Sequence, residues 1–144
     1  MTLPVQRLAA TAKLPSRATN GDAGLDLYSS EPCRLEPGAR ASVGTGVAVQ
    51  IPEGHAGLVL PRSGLASKRG LTLANAPGLI DAGYRGEVTC AVVNLDLHEA
   101  VEISPGDRIA QLVIVAVPEV SSAFVDELPG SSRGTDGFGS TGTS

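Results

Sequence analysis

Apolar and polar positions along the chain alternate far more often than they recur at helical spacing. In residues 43–51, Val43, Thr45, Val47, Val49 and Ile51 fall at every second position, the period of a half-buried strand. Pro52-Glu53-Gly54 supplies a turn, and Gly57-Leu58-Val59-Leu60 begins another strand. Residues 87–95 and 109–117 are apolar on both faces. That pattern predicts strands covered on both sides, inside a sandwich or at a subunit contact. Turn signals at Pro37-Gly38, Pro105-Gly106-Asp107 and Pro118 separate the runs. Only one stretch predicts a helix, with Ser63 as its cap, Gly64 to Arg69 as its body and Gly70 at the stop position. At about two turns it needs tertiary support.

Composition sharpens this picture. A chain of 144 residues forms one domain with its own core. Aromatic residues make up only 3% and Trp is absent, so Val, Leu, Ile and Ala must build that core. With 18 Gly and 10 Pro around short Val-rich runs, the expected fold is all-β and jelly-roll-like, a barrel or sandwich with one short helix. The expected body covers residues 1–128. The glycine-rich stretch 129–144 has the composition of a flexible C-terminal arm.

The formal net charge of -4 argues against nucleic-acid or membrane binding, which normally needs a basic face. A phosphate-bearing partner would have to be gripped locally, by a few placed arginines. Cys33 and Cys90 lack a metal-ligand spacing, and two buried reduced thiols are expected rather than a disulfide. The N-terminal residues lack a signal-peptide core and no apolar run reaches membrane-spanning length, so a cytoplasmic location is expected.

Five segments have a chemical logic, each with a plainer alternative beside it. Asp22-Ala23-Gly24-Leu25-Asp26-Leu27-Tyr28-Ser29 can be a turn entering a strand, with Asp26 stabilising the turn. Pro61-Arg62-Ser63-Gly64 precedes the helix, whose free N–H groups and positive dipole end suit a phosphate beside the Arg62 fork. A capped turn with a surface arginine is the plainer reading. Residues 70–86 imply a hairpin. In it Asn75 offers the donor and acceptor that a nucleobase edge requires. Asp81, between Leu79-Ile80 and Tyr84, is oddly placed for a carboxylate unless it only holds a turn. In Pro105-Gly106-Asp107-Arg108-Ile109-Ala110-Gln111-Leu112, Asp107 and Arg108 read as an architectural salt bridge, whereas Gln111 is polar inside an apolar strand. The arm combines repeated glycines with Arg133 and Phe138. It can cradle phosphate and stack on a base, or be a tail and nothing more.

In this order and at these separations, the five segments resemble the five motifs of the homotrimeric dUTP pyrophosphatase family, over nearly the whole chain. The resemblance implies a β-jelly roll, a homotrimer with three active sites that share residues from all subunits, and hydrolysis of dUTP to dUMP and pyrophosphate. It implies that Asp81 is the general base for water attack on the α-phosphorus. Tyr84 would pack on the deoxyribose and exclude a 2′-hydroxyl. Asn75, with backbone of Leu79, Ile80 and Thr89, would read uracil. Arg62, Ser63 and Gly64 would hold phosphate, Arg133 would reach the γ-phosphate, and Phe138 with Gly139 would cover the base. Asp26 and Gln111 would support Mg²⁺ through its waters or steady the α-phosphate. The absence of a dense carboxylate cluster agrees with a metal held mainly by the triphosphate. A deaminase of the same fold resembles this chain less, because Asp81, Tyr84 and the full arginine-aromatic arm follow the pyrophosphatase pattern. One departure lies in the arm, where Asp136 stands at a position that is glycine in many relatives.

Overall fold

The computed structural model describes residues 1–139. Among them are ten strands and one helix. In chain order these are β1 (Val5–Arg7), β2 (Leu25–Tyr28), β3 (Cys33–Leu35), β4 (Arg40–Val49), β5 (His55–Leu60), α1 (Ser63–Arg69), β6 (Leu71–Leu73), β7 (Gly78–Ile80), β8 (Glu87–Asn94), β9 (Val101–Ile103) and β10 (Arg108–Ala116). All pairings are antiparallel. One four-stranded sheet runs β1-β4-β8-β6, a second runs β2-β10-β5-β7, and β3 pairs with β9. The fold is all-β and jelly-roll-like, as the alternation predicts.

One hydrophobic cluster joins the sheets, with Leu27, Leu35, Val43, Ile51, Val92 and Leu112 almost wholly buried. It has no aromatic member among its buried residues, in keeping with the composition. Each aliphatic side chain so buried contributes about 1.5–3 kcal/mol. The strand β4 is buried continuously from Val43 to Val49. The half-buried alternation expected here does not hold. Val43 and Val49 join the core cluster, but Gly46 at φ 69° breaks the period within a register shift against β8, and its other side is closely covered too. Leu8 N, for example, donates to Gly46 O at 2.7 Å.

The polar residue Asn94 ends β8 with no exposure and has its amide satisfied. Its Nδ2 donates to Leu35 O at 3.1 Å and Glu99 O at 2.9 Å, while its Oδ1 accepts from Asp96 N at 2.9 Å. Asp96 in turn accepts from His98 N and Glu99 N, both at 2.8 Å. The Glu99 and His98 amides hold its carboxyl below the usual carboxylate range.

Several expectations need correction. Ser63 is the first residue of α1 and does not cap it; Arg62 occupies the cap position, with extended backbone and no side-chain cap bond. Gly70 does stop the helix, in the left-handed region at φ 67°. The segment 70–86 is no simple hairpin, because β6 pairs with β8 while β7 leaves for the other sheet and pairs with β5. Of the two coverings expected for β8 and β10, the one within a single chain is incomplete, since Ala91, Val93, Val113 and Val115 are only half-buried, and the subunit contact stays open. Regular structure ends at Ala116, and residues 117–139 contain no strand or helix. In the described part of the arm Gly134 (φ 57°), Phe138 (φ 50°) and Gly139 (φ 86°) adopt left-handed backbone, and Asp136 does not. The arm residues 140–144 lie outside the described residues.

Candidate active site

The excursion of β7 creates the first cavity. Strands β6 and β8 pair from Leu71↔Asn94 to Leu73↔Val92, and Ala74 N then donates to Ala91 O at 2.8 Å. Beyond that point they part, since Gly78, Leu79 and Ile80 pair with Val59, Leu58 and Gly57. The gap is a pocket of about 190 Å³, and Asn75, Leu79, Ile80, Asp81, Tyr84 and Thr89 all line it. Val59, Gly78, Glu87, Val88 and Cys90 complete the wall. The Asn75 carboxamide packs over Gly78, where a Cβ would stand 3.2 Å from Nδ2.

A tight turn presents Asp81. Tyr84 N donates to Asp81 O at 3.1 Å, and Arg85 Nη1 donates to Ala82 O at 2.7 Å and Tyr84 O at 2.9 Å. The Tyr84 hydroxyl donates to Glu87 O at 3.0 Å, so its ring crosses directly over Gly86. Ile80 is buried, yet Leu79, Asp81 and Tyr84 are exposed. Asp81 is therefore not hemmed in by apolar groups, as its sequence neighbours suggested. Among the described residues its carboxylate accepts no hydrogen bond from the chain, which leaves it free for water or ligand.

The pocket floor is fixed to β4. Thr45 Oγ1 donates to Val88 O at 2.6 Å, and Gly46 N donates to Glu87 Oε1 at 2.8 Å. Cys90 lies in this floor as a free thiol, and burial pushes its pKa up to about 12. Cys33 is free as well but only half-buried, so the expectation of two buried thiols holds for Cys90 and not for Cys33. Sequence reasoning places neither Glu87 nor Cys90 in this pocket. Neither has a local pattern that distinguishes it from an ordinary strand residue.

A second cavity, of about 420 Å³, opens where β2, β10 and the start of α1 meet. Gly24, Asp26, Arg62, Ser63, Gly64 and Gln111 line it, together with Asp22. Strand register sets Gln111 opposite Asp26. Gln111 Nε2 donates to Pro61 O at 3.0 Å, which ties β10 to the segment bearing Arg62. Asp26 is no turn residue; it sits within β2, held at 3.2 Å by Arg62 Nε and at 3.2 Å by Arg108 Nη1. The turn is held by Asp22 instead, which accepts from Thr19 Oγ1 at 2.7 Å and Thr19 N at 2.8 Å. Those bonds, the side-chain one foremost, keep its carboxyl below the ordinary range. The predicted Asp107–Arg108 bridge does not form. Asp107 accepts from Ser104 N at 2.8 Å to close a turn, and Arg108 serves Asp26.

The structure thus brings the sequence-predicted residues together in two groups, and the two cavities share no lining residue. Arg133 and Phe138 line neither cavity. Arg133 Nε donates to Asp136 O at 2.8 Å, and Phe138 is fully exposed. No group of three or more metal-ligating side chains occurs among the described residues, and none of their helices is long and apolar enough to cross a membrane.

A slot with one amide and free backbone edges suits a planar base, and a cavity beside two arginines suits phosphate. Fold and cavities together define a nucleotide-binding β protein. A family model described as dUTPase matches residues 10–142. The deoxyuridine 5'-triphosphate nucleotidohydrolase of Tropheryma whipplei (strain Twist) is 56% identical over 89% of this chain and 88% of its own length. That of Mycobacterium avium (strain 104) is 56% identical over 98% and 95%. The structure of the Staphylococcus bacteriophage 80alpha dUTPase with dUPNHPP superposes with TM-score 0.91 at 37% identity, covering 99% of both chains. A variant dUTPase from phage phi11 of S. aureus, solved with a structural Mg(II) ion, gives TM-score 0.83 at 34% identity over 90% and 100%. The chain belongs to the dUTPase family.

Proposed function

We propose that the pocket around Asn75 holds uracil and that Asp81 activates the water that attacks the α-phosphorus of dUTP. As a dUTPase the chain hydrolyses dUTP to dUMP and pyrophosphate. The observation that carries the residue assignments is the single cavity that gathers Asn75, Leu79, Ile80, Asp81, Tyr84 and Thr89. Asn75 and the backbone of Leu79, Ile80 and Thr89 pair with the uracil edge. A wrong edge leaves these groups unpaired, which is costly in a closed site. Tyr84 lies along the deoxyribose and bars a 2′-hydroxyl. The free carboxylate of Asp81 orients the water and takes its proton. Positioning and charge neutralisation supply most of the acceleration in phosphoryl transfer.

Arg62, Ser63 and Gly64 hold phosphate in the second cavity, with Gln111 beside them. The separation of the two cavities supports a site shared between chains, with the arm's Arg133 on the γ-phosphate and Phe138 and Gly139 over the base. The half-covered outer faces of β8 and β10 likewise support a homotrimer. The donor set fits a Mg²⁺ ion held mainly by substrate phosphates and water. Asp26, committed to two arginines, and Gln111, with its Oε1 beside Gly24, can support such an ion only through its waters. When bound, the ion neutralises charge on the phosphate oxygens. A cytoplasmic location and nucleotide metabolism fit this reading. The test is pyrophosphate release from dUTP with Mg²⁺, against dTTP, dCTP and UTP. Strong preference for dUTP is expected, and comparable rates on dCTP, or ammonia release from it, would overturn the proposal.

A further inference from the structure

We propose that Arg108 is a positioning residue for phosphate binding, acting through Asp26 on Arg62; this rests on the phosphate role assigned to Arg62 above. The Asp26 side chain is only 12% exposed, and its two oxygens face different guanidinium groups. Arg62 Nε lies 3.2 Å from Oδ1 and Arg108 Nη1 lies 3.2 Å from Oδ2. One arginine would suffice to compensate a carboxylate at this depth. The second has a different consequence. An isolated Arg62–Asp26 pair has no net charge and attracts a triphosphate weakly. Adding Arg108 makes the group cationic while Asp26 still fixes where Arg62 sits.

The two arginines are not equivalent. Arg62 is the more buried, 26% exposed against 45%, and it lines the cavity that also holds Ser63, Gly64 and Gln111. Arg108 does not line that cavity. It borders an adjoining one of about 510 Å³, which Arg62 and Asp26 also border. Arg108 therefore stands behind Asp26 as seen from the phosphate side. There it balances the charge of the carboxylate, which without a second cation would repel the incoming anion.

A β-bulge builds this arrangement. In the pairing of β10 with β2, Gln111 faces Asp26 and Ala110 faces Leu27, but Arg108 rather than Ile109 faces Tyr28. Asp26 and Tyr28 share one face of β2 by the period-two rule. The extra residue thus turns Arg108 onto the face of Asp26, and Ile109 enters the core at 3% exposure. Without the bulge, alternation would put an isoleucine beside the carboxylate.

The test is calorimetric binding of the dUTP analogue dUPNHPP, with and without Mg²⁺, to the wild-type protein, Arg108→Gln, Arg108→Lys, Arg62→Gln and the Arg62→Gln/Arg108→Gln double variant. Deoxyuridine is the control ligand, since it needs only the Asn75 pocket. Arg108→Gln should weaken dUPNHPP about tenfold, or about 1.4 kcal/mol, and leave deoxyuridine affinity unchanged. Lysine should restore most of the loss, and the double variant should bind no worse than Arg62→Gln alone. Equal losses for deoxyuridine would assign Arg108 a merely structural role. Unchanged analogue binding in Arg108→Gln, multiplied losses in the double variant, or a folded Arg108→Lys as weak as Arg108→Gln would each overturn the proposal. If Arg108→Gln fails to fold, the lysine variant decides. A wild-type protein that does not bind dUPNHPP would instead sink the parent reading of the site.

Discussion

Replacing Gly86 by Ala should loosen the discrimination between dUTP and UTP while leaving the fold intact. A Cβ built on Gly86 would stand 2.4 Å from the Tyr84 hydroxyl and 2.6 Å from Cζ, well inside any contact distance. The backbone around Gly86 is held by β8, so the exposed tyrosine is the part that gives way. Its ring must swing off the turn and break the 3.0 Å bond from Oη to Glu87 O. Loss of one solvent-accessible hydrogen bond costs about 0.5–1.5 kcal/mol of stability. For a domain of this size that lowers Tm by about 4 °C. The catalytic effect is separate. If Tyr84 excludes the 2′-hydroxyl by contact, the fence is worth about 1–3 kcal/mol, or roughly ten- to two-hundred-fold in relative kcat/KM. The assay compares kcat/KM for dUTP and UTP by pyrophosphate release in wild type and variant. A fall in the dUTP:UTP ratio is expected. An unchanged ratio with Tyr84 displaced would show that exclusion of ribose lies elsewhere.

Three further outcomes follow from individual contacts. Gly70→Ala should destabilise by about 2–4 kcal/mol in urea unfolding, because left-handed backbone costs about 1 kcal/mol and the new Cβ would lie 2.6 Å from Asp96 N, a backbone atom that cannot retreat. The Cys90 thiol, pushed up to about 12 by burial from an ordinary 9.0, stays neutral when folded and ionises first when unfolded. Its contribution is therefore complete below about pH 9 and declines above it by about 1.4 kcal/mol per pH unit. Cys90→Ala should flatten that decline in urea midpoints between pH 8 and pH 11, and the native thiol should react slowly with Ellman's reagent. Removing the chain from Arg133 onward should cripple dUTP turnover and leave the oligomeric state seen by sedimentation the same as that of the full chain; a smaller assembly would mean that the arm holds subunits together.

The strands were readable because their core is aliphatic and period two marks Val43, Thr45, Val47 and Val49 as a strand. Gly46 and the register shift beside it, which make β4 buried throughout that stretch, leave no such mark. That Asn75, Asp81 and Tyr84 fall near one another was readable, but the geometry of the pocket they line was not. Asn75, Asp81 and Tyr84 lie close in sequence, so a turn unites them. That the gap between β6 and β8 would open into a pocket depended on β7 pairing with β5, a long-range choice that no local pattern signals. The same holds for Arg108. Its sequence neighbour Asp107 looked like its partner, and only the bulge opposite Tyr28 sends it to Asp26. A signal was nevertheless present, since Asp26 between Leu25 and Leu27 in a strand calls for a counter-charge. Ser63 misled for a related reason: a good capping residue lost the cap position to Arg62, whose backbone is extended and whose side chain is drawn to Asp26.

The role of Asp81 is tested most directly by Asp81→Asn, with turnover and dUPNHPP affinity measured on the same preparation. The substitution keeps the side chain's shape and removes its basicity. Pyrophosphate release should fall at least about a hundredfold, as loss of a general base entails, with affinity for the analogue within a few-fold of wild type. Near-normal turnover by the Asn variant, or an equal loss of binding and turnover, would contradict the assignment of Asp81 as the residue that activates water.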